Sequence, residues 1–209
     1  MRKLAASFAA FGLVVAWPAA ATGSAIDPEP RAVIQQTLDE VLAVLRQEDL
    51  SSEQRRDAIE EIAYVRFDFT TMSRLVLARS WKRFSTPQKR EFVEQFKLYL
   101  ANSYGARIDR YDQEEVEIFD ERREPRGDMT VRTRVLGGEF NGVIIDYRLR
   151  NREGEWRVID VVIEGISLVS NYRDQFKEVL ARGGPDHLLE QLRKKNEAGP
   201  KAAPAASEQ

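Results

Sequence analysis

The hydrophobic period of this chain changes twice, and those changes limit the folds open to it. Up to Tyr104 apolar residues recur every three or four positions; between Val116 and Ile163 they alternate; from Leu168 the helical spacing returns. A period of 3.6 gives a helix one apolar stripe, and a period of two gives a strand one apolar face. Helices, then consecutive strands, then helices predict an α+β fold around an antiparallel meander, with no alternating β–α order to build a parallel sheet.

After Pro28 and Pro30, residues Val33, Ile34, Leu38, Val41, Leu42 and Leu45 predict a helix to about Gln47. Ser51 and Gln54 have the spacing of a capping box for a second helix carrying Ala58, Ile59, Ile62 and Val65. Thr70 or Thr71 opens a third helical run through Met72, Leu75, Val76 and Leu77 towards Trp81. The clearest start signal is Ser85-Thr86-Pro87-Gln88, a cap with proline in the first turn. The long helix behind it carries Phe92, Val93, Phe96, Tyr99, Leu100 and Tyr104.

Strands follow at Val116 and Ile118; at Val131, Thr133 and Val135; and at Val143, Ile145, Tyr147 and Leu149. Glu153-Gly154 supplies a hairpin turn into a fourth, Trp156 to Ile163, whose apolar residues on both faces suit a doubly covered position. The closing helical segment carries Leu168, Val169, Tyr172, Phe176, Val179 and Leu180, stops at Gly183-Gly184 and resumes from Pro185.

The ends read differently. Met1-Arg2-Lys3, an apolar run from Leu4 to Trp17 and the small residues Ala19-Ala20-Ala21 make a secretory signal peptide over 1–21, with cleavage after Ala25 as the alternative. The run falls short of the ~20 residues that span a bilayer, so the mature chain is expected to be soluble in the periplasm. Residues 30–195 form one domain. Residues 196–209, rich in Ala, Pro, Lys, Ser and Glu, lack an apolar period and are expected to be a disordered tail.

Composition narrows the chemistry. The formal charge is −2, which becomes −4 once Arg2 and Lys3 leave with the signal, and basic and acidic residues are interspersed, as in Glu121-Arg122-Arg123-Glu124. Nucleic acid is therefore not an expected partner. There is no cysteine, hence neither a disulfide nor a lipidated amino terminus. His187 is the single histidine, and it follows Pro185 and Asp186 at a helix start; neither a His-based triad nor a histidine metal cluster can be assembled. No Gly-rich phosphate loop follows a strand. No metal and no cofactor is expected.

Asp146, Tyr147 and Asp160 fall on adjacent strands. An acid beside a tyrosine in an apolar cavity could transfer protons as in ketosteroid isomerases. The alternative is that Asp146 and Asp160 pair with Arg148 and Arg157 across the hairpin.

Several segments together resemble the MlaC-type (toluene-tolerance) periplasmic phospholipid-binding proteins of the maintenance-of-lipid-asymmetry pathway. They include Phe67-Asp68-Phe69 with Met72-Ser73 and Trp81; Ser85-Thr86-Pro87-Gln88 with Phe92 and Phe96; Tyr104; Val131-Arg132-Thr133; and Asp146-Tyr147-Arg148-Leu149. The most specific is Trp156-Arg157-Val158-Ile159-Asp160-Val161, running into Glu164-Gly165-Ile166-Ser167-Leu168 and Asn171-Tyr172-Arg173, with Gln175-Phe176 behind. The resemblance spans about residues 32 to 195. Two positions depart from the pattern: Ala78 stands where glycine is usual, and Pro185 with His187 alters a Gly-x-Asp-Gly-Leu ending near Gly184.

The resemblance implies a cone like that of nuclear transport factor two, with helices folded over a curved four-stranded antiparallel sheet and an apolar cavity between. It implies a monomeric, non-enzymatic carrier with phospholipid as cargo. Its partners would be an outer-membrane lipoprotein complex and an inner-membrane ATP-driven transporter with a lipid-binding domain. Candidate tail-lining residues are Val143, Ile145, Tyr147, Val161, Ile163 and Ile166 from the sheet region, with Phe69, Leu75, Phe96, Tyr99 and Tyr104 from helices. Each could equally be ordinary core. A carrier of hopanoid-like lipids and a cavity enzyme using Asp146 or Asp160 are the alternatives.

Overall fold

The computed structural model describes residues 29–105, 110–111 and 113–199. The expected signal peptide and most of the expected tail lie outside those residues.

Helix α1 (Pro30–Leu45) begins with proline in its first turn and buries Val33, Ile34 and Leu38 along one stripe. Helix α2 (Ser52–Arg66) starts at the full capping box, Ser51 Oγ accepting from the Gln54 N–H while the Gln54 side chain accepts from the Ser51 N–H. None of its residues is fully buried. Helix α3 (Phe69–Leu77) is capped by Asp68, whose carboxylate accepts the Thr71 N–H at 2.8 Å, so the chain turns helical a residue or two before the expected Thr70 or Thr71. The following 3-10 turn, Ala78–Arg83, leads to α4 (Thr86–Tyr104), again begun by a capping box, Ser85 with Gln88.

The sheet is an antiparallel meander in the order β1 (Glu115–Arg123), β2 (Met129–Leu136), β3 (Ile144–Arg152), β4 (Glu155–Ile163), β5 (Ile166–Ser167). The expected strands are present. The two-residue β5 is an addition, and Val143 falls one residue before β3. Glu153 (φ 54°) and Gly154 (φ 90°) both take the left-handed conformations that a two-residue hairpin turn demands. Register shifts fall in β1 between Ile118 and Asp120, and between β3 and β4 beside Ile159. An extra residue of this kind bends a strand and re-aims its side chains. Because of it, Val158, Ile159, Asp160 and Val161 are all buried in succession.

Pairing sets the faces. Tyr147 lies opposite Val161 and Val131, and Ile145 opposite Ile163 and Thr133, so these side chains share the face covered by helices. The alternate residues carry charge: Arg132 contacts Asp120 at 3.7 Å and Asp146 at 3.1 Å across three strands.

Helix α5 (Leu168–Glu197) is interrupted at Gly184 (φ 73°, ψ −165°), where Pro185 restarts the helix, as the Gly-Gly-Pro sequence leads one to expect. It continues two residues into the stretch expected as tail, where Asn196 Nδ2 donates to the Gln95 carbonyl at 2.9 Å. Its inner face packs on α4. Phe92, Phe96, Tyr172 and Phe176 form one aromatic cluster with ring centroids 5.6–5.8 Å apart. This solid core occupies one end of the helix–sheet layer and leaves the other end unfilled.

Candidate lipid-binding cavity

Unfilled space lies between the sheet and helices α2 and α4, as a cavity of about 420 Å³. Alternation on β3 and β4 brings Ile145, Tyr147, Val161 and Ile163 to its floor. Helix α4 supplies Lys97, Leu100, Ala101 and Tyr104, whose three- and four-residue spacings place them on one face. Helix α2 supplies Ile59, Glu60, Ala63 and Tyr64, and the α2–α3 junction adds Phe67, Phe69 and Met72. A second chamber of about 260 Å³ lies between α1 and the sheet, lined by the α1 stripe Leu38, Val41, Leu42 and Leu45 together with Val116, Val135 and Val143. Ile145, Tyr147 and Ile163 belong to both walls.

Two acyl chains call for a pocket near or above the upper end of the ~300–1,000 Å³ typical of ligand sites. The structure instead divides a smaller apolar space in two.

Of the candidate tail-lining residues, Phe69, Tyr104, Ile145, Tyr147, Val161 and Ile163 line the larger cavity, and Val143 lines the smaller. Four lie elsewhere. Phe96 is fully buried in the aromatic cluster, and Tyr99 packs edge-on against Tyr172 beside it. Leu75 packs against the solid core. Ile166 points outward, 43% exposed. Four-residue spacing shows Phe92, Phe96, Leu100 and Tyr104 as one apolar stripe of α4, but not that its first half, Phe92 and Phe96, meets core while its second half, Leu100 and Tyr104, lines the cavity. The contributions of Ile59, Ala63 and Tyr64 were hidden by the weak period of α2, whose Val65 is 64% exposed.

Polar chemistry at the cavity is sparse. Burial pushes the Tyr147 hydroxyl up to about 12, so the phenol is neutral at physiological pH. Tyr64 donates to Glu60 Oε2 at 2.6 Å, and burial followed by this carboxylate raises its pKa far above the ordinary tyrosine value. Neither carboxylate of the isomerase-like constellation lines either chamber. Asp146 and Tyr147 are consecutive strand residues and point to opposite faces. Asp146 bonds Arg132, not the expected Arg148 or Arg157, and Arg157 bonds Glu155. Asp160 does face Arg148, at 4.0 Å, but its main partners are Ser167 Oγ (2.7 Å) and the Val169 N–H (3.1 Å) at the start of α5. The expectation put the ion pairs one strand pair off for Asp146, because hairpin proximity does not reveal that β2 flanks β3 on its other edge. His187 shares a hydrogen bond with Gln191 one turn along its own helix. Among the described residues no cluster of three or more histidines or carboxylates is arranged for a metal, and no helix is long and apolar enough to cross a membrane.

An α+β shell with a divided, predominantly apolar chamber defines a binding protein for a hydrophobic ligand. The chain belongs to the MlaC protein family, whose model matches residues 35–194. It is 29% identical over 164 residues to the toluene tolerance protein ttg2D of Pseudomonas putida, covering 75% of each chain. It is 22% identical over 180 residues to the intermembrane phospholipid transport system binding protein MlaC of Haemophilus influenzae, covering 79% of this chain and 81% of that one. The fold matches the solved structure of a phospholipid-binding protein from Ralstonia solanacearum in complex with a phospholipid, with a TM-score of 0.73 and 24% identity, over 80% of this chain and 96% of that one.

Proposed function

We propose that the chain is a soluble periplasmic carrier that holds the acyl chains of a phospholipid in its divided cavity and moves the lipid between the two membranes. The observation that carries this reading is an apolar cavity whose walls come from sheet and helices alike, in a member of a family whose relatives are named for phospholipid transport and binding. Free phospholipid leaves a bilayer slowly because its chains resist water. At about 0.8 kcal/mol per CH₂, a chain of roughly sixteen carbons represents on the order of 12 kcal/mol of burial. A carrier replaces that contact with water by contact with Ile145, Tyr147, Ile163 and their neighbours. Two chains parting at this shared wall would each enter one chamber.

In this reading the lipid is cargo and no cofactor is required. The partners are an outer-membrane lipoprotein complex as one terminus and an inner-membrane ATP-driven transporter with a lipid-binding domain as the other. Catalysis has little support in the geometry, since Asp146 and Asp160 are engaged in structural pairs away from the cavity.

A transfer assay tests the proposal. Donor vesicles carrying a fluorescent, self-quenched phospholipid are mixed with acceptor vesicles and catalytic amounts of the mature protein. Dequenching that scales with protein concentration is the expected result. Transfer no faster than without protein would sink the idea.

A further inference from the structure

Among the described residues, the wall of the larger cavity carries two charges, Glu60 from α2 and Lys97 from α4. One side chain joins them. The Tyr64 hydroxyl donates to Glu60 Oε2 at 2.6 Å, and Lys97 Nζ sits 3.4 Å from the centre of the Tyr64 ring. The carboxylate and the ammonium are therefore set one phenol ring apart. Lys97 also reaches Glu94 at 3.9 Å, but Glu94 is 70% exposed and such a surface contact is weak and readily exchanged. Hydrocarbon needs neither charge, and placing charged groups against an apolar wall is unfavourable unless something polar meets them.

We propose that Glu60 and Lys97 form a head-group subsite that selects zwitterionic lipids bearing a primary amine, with Lys97 Nζ meeting the lipid phosphate and Glu60 receiving the ammonium. This rests on the phospholipid reading of the cavity. Two methylenes separate phosphate from amine in an ethanolamine head group, a span on the scale of the tyrosine ring that separates the two protein charges. A glycerol head group brings the same phosphate to Lys97 but no cation to Glu60, which is left facing an anion with no partner of opposite charge from the lipid. A choline head group brings a cation without N–H donors, so it forfeits the charge-assisted hydrogen bonds that Glu60 accepts.

Competitive loading tests the subsite. The mature protein is incubated with vesicles of phosphatidylethanolamine, phosphatidylcholine and phosphatidylglycerol in equal amounts with identical acyl chains, and captured lipid is quantified by mass spectrometry. Phosphatidylethanolamine should be enriched roughly threefold to tenfold, the range set by one charge-assisted hydrogen bond at a partly exposed position. Glu60→Gln should return the captured mixture towards the vesicle ratio. Lys97→Gln should lower capture of phospholipid relative to diacylglycerol of the same chains by about threefold or more, because diacylglycerol has no phosphate to lose a partner. Capture by the unaltered protein in the vesicle ratio, or with phosphatidylglycerol or phosphatidylcholine ahead, overturns the subsite and leaves the carrier reading standing. So does a phospholipid-to-diacylglycerol ratio that Lys97→Gln does not move. Capture of no phospholipid at all overturns the carrier reading itself.

Discussion

The buried carboxylate of Asp160, on β4, accepts the backbone N–H of Val169 in the first turn of α5 at 3.1 Å, fastening the last full strand of the sheet to the helix that closes the core. The same carboxylate accepts from Ser167 Oγ at 2.7 Å, and Ser167 in turn caps the helix through the Ser170 N–H. Asp160→Ala should lower unfolding stability by about 2–3 kcal/mol, since it leaves a buried N–H and a hydroxyl without an acceptor and removes a negative charge from a helix start. Asp160→Asn keeps an acceptor and should cost about half as much. Denaturant midpoints check this ordering; equal midpoints for Asp160→Ala and the unaltered protein would contradict it.

Ala78 takes φ 46° and ψ −121° at the junction of α3 and the 3-10 turn, a conformation nearly reserved for glycine. Its side chain is exposed, so no packing is lost on removing it. Ala78→Gly is expected to stabilise the protein by about 1 kcal/mol by relieving backbone strain. For a domain of this size that corresponds to a rise of roughly 2–4 °C in melting temperature. Calorimetry showing a fall would mean that the loss of chain stiffness outweighs the strain.

Phe96 and Ile163, both apolar and inward, should behave differently when altered. Phe96 is fully buried among Phe92, Tyr172 and Phe176, and Phe96→Ala should cost about 3–5 kcal/mol of stability. Ile163→Glu and Val143→Glu place a charge in open space that water can enter when lipid is absent, so both should remain folded and lose most lipid uptake from vesicles. Ile166→Glu, at an exposed position, should leave uptake near that of the unaltered protein. Unfolding of both cavity variants would assign their positions to solid core.

Tyr147 titrates late. Its pKa rises from the ordinary 10 to about 12 because burial disfavours the phenolate. The fold therefore holds the neutral form, and the stability Tyr147 contributes is complete below about pH 10 and disappears as pH rises through about 12. Tyrosinate absorbance should show a late-ionising group that Tyr147→Phe removes. Loss of an early-ionising group instead would mean that the cavity floor is wetter than its apolar walls imply.

Much of this arrangement was legible in the sequence, for identifiable reasons. The capping boxes at Ser51 and Ser85, the Glu153-Gly154 turn and the Gly184-Pro185 restart are local devices in which a few adjacent residues decide the geometry. Alternation over β3 puts Ile145 and Tyr147 on one face, whereas β4, apolar on both faces, leaves the side of Val161 and Ile163 to be decided by pairing. What could not be read was the division of apolar residues between core and cavity. Phe96 and Tyr104 lie on the same helix, and only the packing of α5 against its middle turns decides that Phe96 is enclosed while Tyr104 faces the cavity. The Asp146–Arg132 pair depends on strand order, and the approach of Lys97 to the Glu60–Tyr64 pair on how α2 lies over α4. No local pattern encodes either.

The most direct measurement is the mass of the intact protein in native mass spectrometry after purification from the periplasm without detergent. The cavity described here predicts a population heavier than the polypeptide by one two-chain phospholipid, released as phospholipid on collisional activation and depleted in Ile163→Glu. A single peak at the polypeptide mass, in a preparation that also takes up no lipid from vesicles, or release of a polycyclic lipid in place of a two-chain phospholipid, would contradict it.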